Sequence, residues 1–182
     1  MNNKLINTIV ESRLNQVLIN ELDSYLINDV KEAYNLQEIV NKRLSSSGLG
    51  EIIGYKIGCT NESIQKELGV NNPIFGPIFK NRIIKNNKKI SIKDFIKVGV
   101  ECEIYVKISK EINKNTNYNI NNIKNFIDNY GVSLELVENR FLNIKKNKIE
   151  HIIIDGSLGN SIILGKEISN HSSNFSKFIG RL

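Results

Sequence analysis

The sequence predicts an α+β protein, with helices first and strands gathering later. Apolar residues recur at helical spacing through the first 50 residues. Beyond that point the period shortens to β-branched runs broken by glycine. Residues 5–22 carry Leu5, Ile6, Ile9, Val10, Leu14, Val17 and Leu18 near a helical period, which predicts one amphipathic helix. A second helix is predicted from about Asp29, with Ala33, Leu36, Ile39, Val40 and Leu44 on one stripe. Asn28 or Asp29 caps it and Gly48 ends it. Residues 51–58 (EIIGYKIG) read as a strand. Thr60 or Asn61 then caps a short helix running to Leu68, and Gly69 stops it. Residues 71–79 hold both prolines and read as a loop. Residues 98–108 read as a strand, residues 110–125 as an Asn-rich solvated loop, and residues 120–130 as a helix capped by Asn119. Residues 132–137, 152–154 and 161–164 complete the expected strands.

A chain of 182 residues with 40% hydrophobic content can build one domain and its core without disulfides. Two cysteines, Cys59 and Cys102, are too few for a disulfide scaffold and fit a reducing compartment. No apolar run approaches the roughly 18 residues that cross a bilayer, and the first 20 residues lack the unbroken apolar segment of a signal peptide. The expectation is a cytoplasmic protein without membrane partners. A net charge of +6 does not argue for nucleic acid, because the excess is lysine and only five arginines are present. Ile and Asn each make up about one residue in six or seven. Codons for Ile, Asn and Lys are rich in A and T, so genome composition accounts for the bias and much of the charge.

The chemistry concentrates in a few places. Glu101 and Glu103 lie two apart on a predicted strand, so both carboxylates share one face and Cys102 takes the other. Flanking Val100, Ile104 and Val106 suggest an internal strand, where paired carboxylates need a cation between them. Glu135 sits in a second apolar stretch. Three such carboxylates suit a hard divalent ion, while the plainer reading has the Glu-x-Glu pair facing water. Lys56 lies between Gly54 and Gly58 on one strand face, with space beside its ammonium group for a substrate carboxylate or a moving proton. The alternative is a lysine at a sheet edge. His151, ahead of an apolar triplet, reads as a strand cap, and His171 falls in a polar tail. Neither completes a triad or a Cys-His pair. Gly156, Gly159 and Gly165 lack the phosphate-binding pattern and read as turns.

Several segments follow one another in order. They are Ala33-Tyr34-Asn35-Leu36-Gln37, Gly54-Tyr55-Lys56-Ile57-Gly58-Cys59-Thr60, residues 65–70 (QKELGV), Phe75-Gly76-Pro77, Val100-Glu101-Cys102-Glu103-Ile104, residues 135–141 (ELVENRF) and residues 155–165 (DGSLGNSIILG). In this order they resemble the 2-keto-4-pentenoate hydratase family, part of the wider fumarylacetoacetate hydrolase superfamily. The resemblance implies an N-terminal helical segment (1–50) followed by a mixed β-roll catalytic domain (51–182). It implies Mg²⁺ or Mn²⁺ on Glu101, Glu103 and Glu135, Lys56 as the catalytic group, and Thr60, Arg140 and Asp155 at the substrate. The implied partner is a small 2-oxo or 2-hydroxy dienoate acid, in a homo-oligomer. The implied reaction is hydration of a 2-hydroxy-2,4-dienoate to a 4-hydroxy-2-oxo acid. The alternatives are a 4-oxalocrotonate-type decarboxylase or a shortened, non-catalytic relative serving as a partner subunit. Ile74 stands where the family usually carries an acid, and Gly156 where it carries Asn. The family also continues for several more strands than the stretch ending after Gly165, so C-terminal strands of the roll are expected to be missing.

Overall fold

The computed structural model describes residues 2–20, 22, 25–85, 88–119 and 121–169; His171 and the polar run 171–182 lie outside them. The protein is α+β, with open, mixed sheets. Helix α1 (Asn2–Asn15) and helix α2 (Val30–Leu44) come first. Asp29 caps α2, its side chain accepting the Glu32 N–H at 2.8 Å. The expected first helix of residues 5–22 is cut short at Asn15. Gln16 turns left-handed, and Ile19 leaves to bridge Phe141, its N–H donating to Arg140 O at 2.8 Å. Val17, which had extended the helical stripe, is exposed.

Strands β1 (Ile52–Gly58) and β2 (Ile74–Phe79) form an antiparallel hairpin around helix α3 (Glu62–Leu68), which Asn61 caps and Gly69 ends in a left-handed turn. Residues 74–79 are therefore strand rather than loop. Pro77 is accommodated because, among the described residues, β2 pairs only with β1 and leaves its other edge free of ladder bonds. A five-stranded sheet combines β3 (Ile83–Ile84), β4 (Val98–Ile108), β5 (Ile127–Glu138), β6 (Gly159–Leu164) and β7 (Ile168–Ser169). Its order is β3-β6-β5-β4, with β7 pairing β5; β3 runs parallel to β6 and the other pairs are antiparallel.

Four expectations are corrected in and around this sheet. The helix expected at 120–130 is a single tight turn at Ile123–Phe126. Strand β5 begins at Ile127, recruited by pairing with β4 and β7. The strand expected at 152–154 is helix α4 (Ile149–Ile154), whose three isoleucines are buried. There Gln37 Nε2 of α2 donates to Ile153 O at 2.7 Å, and burial against the helices overrides β-branched preference. His151 is buried on this helix instead of capping a strand. Finally, β4 is an edge strand, so Val100, Ile104 and Val106 are exposed rather than internal.

One core cluster joins α1, α2, the hairpin and α4 through Leu5, Ile9, Leu44, Phe79, Phe141 and Ile153. Among the described residues no helix is long and apolar enough to cross a membrane. The hairpin meets the sheet so closely that a Cβ on Gly76 would overlap the Gly156 carbonyl. Gly76→Ala should therefore cost about 1–3 kcal/mol, as overpacking does. Gly54→Ala meets only the tip of Ile78 at 3.9 Å and should leave the melting temperature near wild type. Thermal denaturation of both variants checks the contrast.

Candidate functional site

Strands β4 and β5 pair with Glu101 opposite Glu135 and Glu103 opposite Ser133. Opposed residues project to one face, and alternation along β4 brings Glu103 to the same face. One carboxylate oxygen from each of Glu101, Glu103 and Glu135 lies within 4.8 Å of the other two. Burial separates them. Glu135, on the inner strand, is 5% exposed, while on the edge strand Glu101 is exposed and Glu103 half-buried. From β1, Lys56 reaches across the seam and places Nζ 3.3 Å from Glu135 Oε1. Gly58 and Gly159 flank it. A Cβ at Gly58 would pack 3.4 Å from Nζ, and one at Gly159 would sit 3.5 Å from Glu135 Oε1 and 3.6 Å from Lys56 Cγ. The residual crevice behind the pair is about 10 Å³, too little for more than one water.

Burial pushes the Glu135 carboxyl above its ordinary range; Lys56 pulls it back, and Glu101 and Glu103 push it up again. Glu103 is also raised, by burial first and then by Glu101. Three hard oxygen donors, two of them solvent-facing, fit a divalent cation that keeps water or ligand in its remaining positions. Cys59, just past β1 in a left-handed conformation, has its thiol pushed up by burial, which disfavours the nucleophilic thiolate.

The remaining sequence candidates fall in different places. Thr60 is exposed two residues beyond β1. Arg140 and Asp155 are 1% and 0% exposed and paired with each other, Nη1 to Oδ2 at 2.8 Å, with Arg140 Nη2 also 3.0 Å from Glu138 Oε2. They lie under the turn that leads into β6. Ile74 is buried opposite Gly58. Sequence reasoning missed Arg13, which is 4% exposed on α1 and donates to Asp155 O and, at 3.2 Å, to Gly159 O. Its position four residues after Ile9 and eight after Leu5, on the buried stripe, was the available signal. Burial, then Arg140, push its guanidinium down to about 9, still charged at neutral pH. The helix motif at 33–37 also acquires a role. Tyr34 stacks on Phe75 at 4.2 Å and accepts its N–H at 3.1 Å, while Gln37 donates to Phe75 O at 3.2 Å.

The split in burial predicts opposite responses to charge removal. In EDTA, Glu135→Gln should lose roughly 1–3 kcal/mol because Lys56 is left without its buried counter-charge. Glu101→Gln removes only repulsion and should leave stability unchanged or raised; urea denaturation of both distinguishes them. Protons compete with cations for Glu103 and Glu135, whose affinity for protons is raised above the ordinary carboxylate value of 4.5. Mn²⁺ affinity should therefore fall on acidification before ordinary carboxylates titrate, as followed by electron paramagnetic resonance.

No family model matches the chain. Curated relatives do. The TodF product hydratase of Pseudomonas putida is 31% identical over 83 residues, 46% of this chain and 31% of that protein. The 2-keto-4-pentenoate hydratase 1 of Dechloromonas aromatica is 25% identical over 147 residues, 80% of this chain and 55% of that protein. The chain thus spans about half, or less, of the length of these relatives. Among solved structures, 4-oxalocrotonate decarboxylase from Pseudomonas putida G7, complexed with magnesium and adipate, superposes with a TM-score of 0.83 at 21% identity. That match covers 91% of this chain and 63% of the enzyme. The same enzyme complexed with calcium and acetate gives 0.80 at 20% identity, over 91% of this chain and 62% of the enzyme. The chain is thus similar in sequence to 2-keto-4-pentenoate hydratases and shares the fold of the solved decarboxylase.

Proposed function

We propose that the protein is a divalent-metal-dependent lyase that adds water to a 2-hydroxy-2,4-dienoate, giving a 4-hydroxy-2-oxo acid. The observation that carries this reading is the convergence of Glu101, Glu103 and Glu135 within 4.8 Å, with Lys56 3.3 Å from Glu135. Glu101, Glu103 and Glu135 would hold Mg²⁺ or Mn²⁺, since an oxygen-only donor set suits either ion. The magnesium and calcium complexes of the related decarboxylase support a divalent ion. Such an ion, when bound, neutralises charge on the carboxylate and 2-oxygen of a 2-oxo acid.

The chain's own residues supply the rest. Lys56, steadied by Glu135, holds the substrate carboxylate or carries the proton that leaves the 2-hydroxyl and arrives at C5 on ketonisation. Hydration of the five-carbon acid then sets the water oxygen on C4 and its proton on C3. Thr60 offers an exposed hydroxyl at the end of β1. Arg140 and Asp155, buried beneath the turn, serve the substrate from below by fixing the backbone rather than by touching it. Ile74 presents hydrocarbon, which leaves proton transfer to Lys56. A second reading, decarboxylation of a 4-oxalocrotonate-type acid, is favoured by the structural superposition on that decarboxylase.

The test is loss of the ultraviolet absorbance of 2-hydroxypenta-2,4-dienoate with Mg²⁺ or Mn²⁺, with EDTA, and with a Glu101→Ala/Glu103→Ala control, products being identified. Metal-dependent decay to 4-hydroxy-2-oxopentanoate, absent from the control, is expected. Lys56→Met should lower turnover by about 10²- to 10⁴-fold, more than it changes Mn²⁺ affinity. Carbon dioxide release from 4-oxalocrotonate would favour the second reading. No decay above the control, from folded protein that binds Mn²⁺, would contradict hydration and leave a non-catalytic relative.

A further inference from the structure

We propose that Arg13 is a positioning residue: from the first helix it grips the turn at residues 155–159 and so holds Gly159 beneath Lys56 and Glu135. The turn is unusual in its backbone. Gly156, Ser157 and Leu158 are consecutive left-handed residues, at φ +84°, +55° and +62°, and two of them carry side chains that disfavour that region. Such a turn persists only where its surroundings over-determine it. Arg13 Nη1 donates to Asp155 O and Nη2 to Gly159 O, so a single guanidinium spans both ends of the turn. Arg140 Nη2 donates to the same Gly159 carbonyl at 3.2 Å, while its Nη1 holds the Asp155 carboxylate. Ser157 Oγ donates to Phe75 O at 2.9 Å, fastening the turn to the hairpin. The Arg13 guanidinium also lies 5.8 Å from the centroid of the Phe79 ring on β2.

The other face of the turn is the floor of the site. Gly159 faces Glu135 and Lys56 across a crevice of about 10 Å³: a Cβ placed on it would come 3.5 Å from Glu135 Oε1 and 3.6 Å from Lys56 Cγ, so a shift of the turn toward them would meet both side chains. Asn160, the next residue, donates to Glu138 Oε2 at 2.6 Å. Arg13 and Arg140 with Glu138 and Asp155 thus form a buried, ion-paired support below the carboxylates, with Arg82 half-buried beside it. Arg13 is the member supplied from the N-terminal segment. It couples that segment to a site made wholly of strand residues.

The test compares Arg13→Gln and Arg13→Lys with Leu44→Ala, a core truncation on α2, under conditions where all remain folded. Hydrogen exchange at the Ser157 and Gly159 amides should quicken by about tenfold or more in Arg13→Gln, less in Arg13→Lys, and not in Leu44→Ala. Mn²⁺ affinity should weaken by about tenfold in Arg13→Gln with Leu44→Ala unchanged, the size expected when support of a ligand is lost. Equal protection of the turn in Arg13→Gln and Leu44→Ala, or a loosened turn with unchanged Mn²⁺ affinity, would overturn the proposal. The second arm rests on the metal-centre reading. If wild-type protein binds no Mn²⁺, that reading fails, while the exchange comparison still decides whether Arg13 holds the turn. If Arg13→Gln does not fold, Arg13→Lys against Leu44→Ala decides by the same criteria.

Discussion

The seam between the β1–β2 hairpin and the five-stranded sheet constrains everything around it. Along it the backbone of Gly76 touches the Gly156 carbonyl, and Lys56 crosses to Glu135 past Gly159. Backbones approach this closely only where a side chain is absent, which explains the glycine at position 76. The approach also removes water from between Lys56 and Glu135. An ammonium and a carboxylate brought together there each replace lost hydration with the other, and separating them would strand a buried charge. Among the described residues the hairpin has no sheet neighbour beyond its own two strands. Its placement is set by Tyr34 and Gln37 on one side and by the 155–159 turn on the other.

Three carboxylates within 4.8 Å repel one another, and the fold manages that repulsion by dividing their environments. Glu101 stands exposed on the edge strand, where water screens it, Glu103 is half-buried beside it, and Glu135 stands inside with a lysine partner. The cluster is thus tolerable without a cation yet shaped to take one. Beneath it, Arg140 is ion-paired with Glu138 and Asp155, and Arg13 and the half-buried Arg82 lie close by, so the acids there are matched by arginine charge.

Alternation along a strand is local, and it put Glu101 and Glu103 on one face and Lys56 between open glycine positions, as observed. What alternation lacks is register between strands, so the pairing of Glu101 with Glu135 came to view only through resemblance and then through the ladder itself. Strand position was equally invisible. Val100, Ile104 and Val106 look internal by composition, but β4 is an edge because nothing pairs with its outer side among the described residues. Propensity failed where tertiary burial decided. Ile152, Ile153 and Ile154 form a helix against α2, and Pro77 sits in a strand whose free edge tolerates it. Arg13 was overlooked because a charged residue on an apolar stripe reads as a solvent-facing lapse in the pattern. It is instead a buried donor whose acceptors lie more than 140 residues away, at |i−j| of 142 and 146.

The most direct test of this account is anomalous diffraction at the manganese edge from crystals grown with Mn²⁺. The account predicts one peak within about 2.0–2.6 Å of a carboxylate oxygen from each of Glu101, Glu103 and Glu135. A peak held by other residues, or none at the cluster while Lys56 keeps its 3.3 Å contact with Glu135, would contradict it.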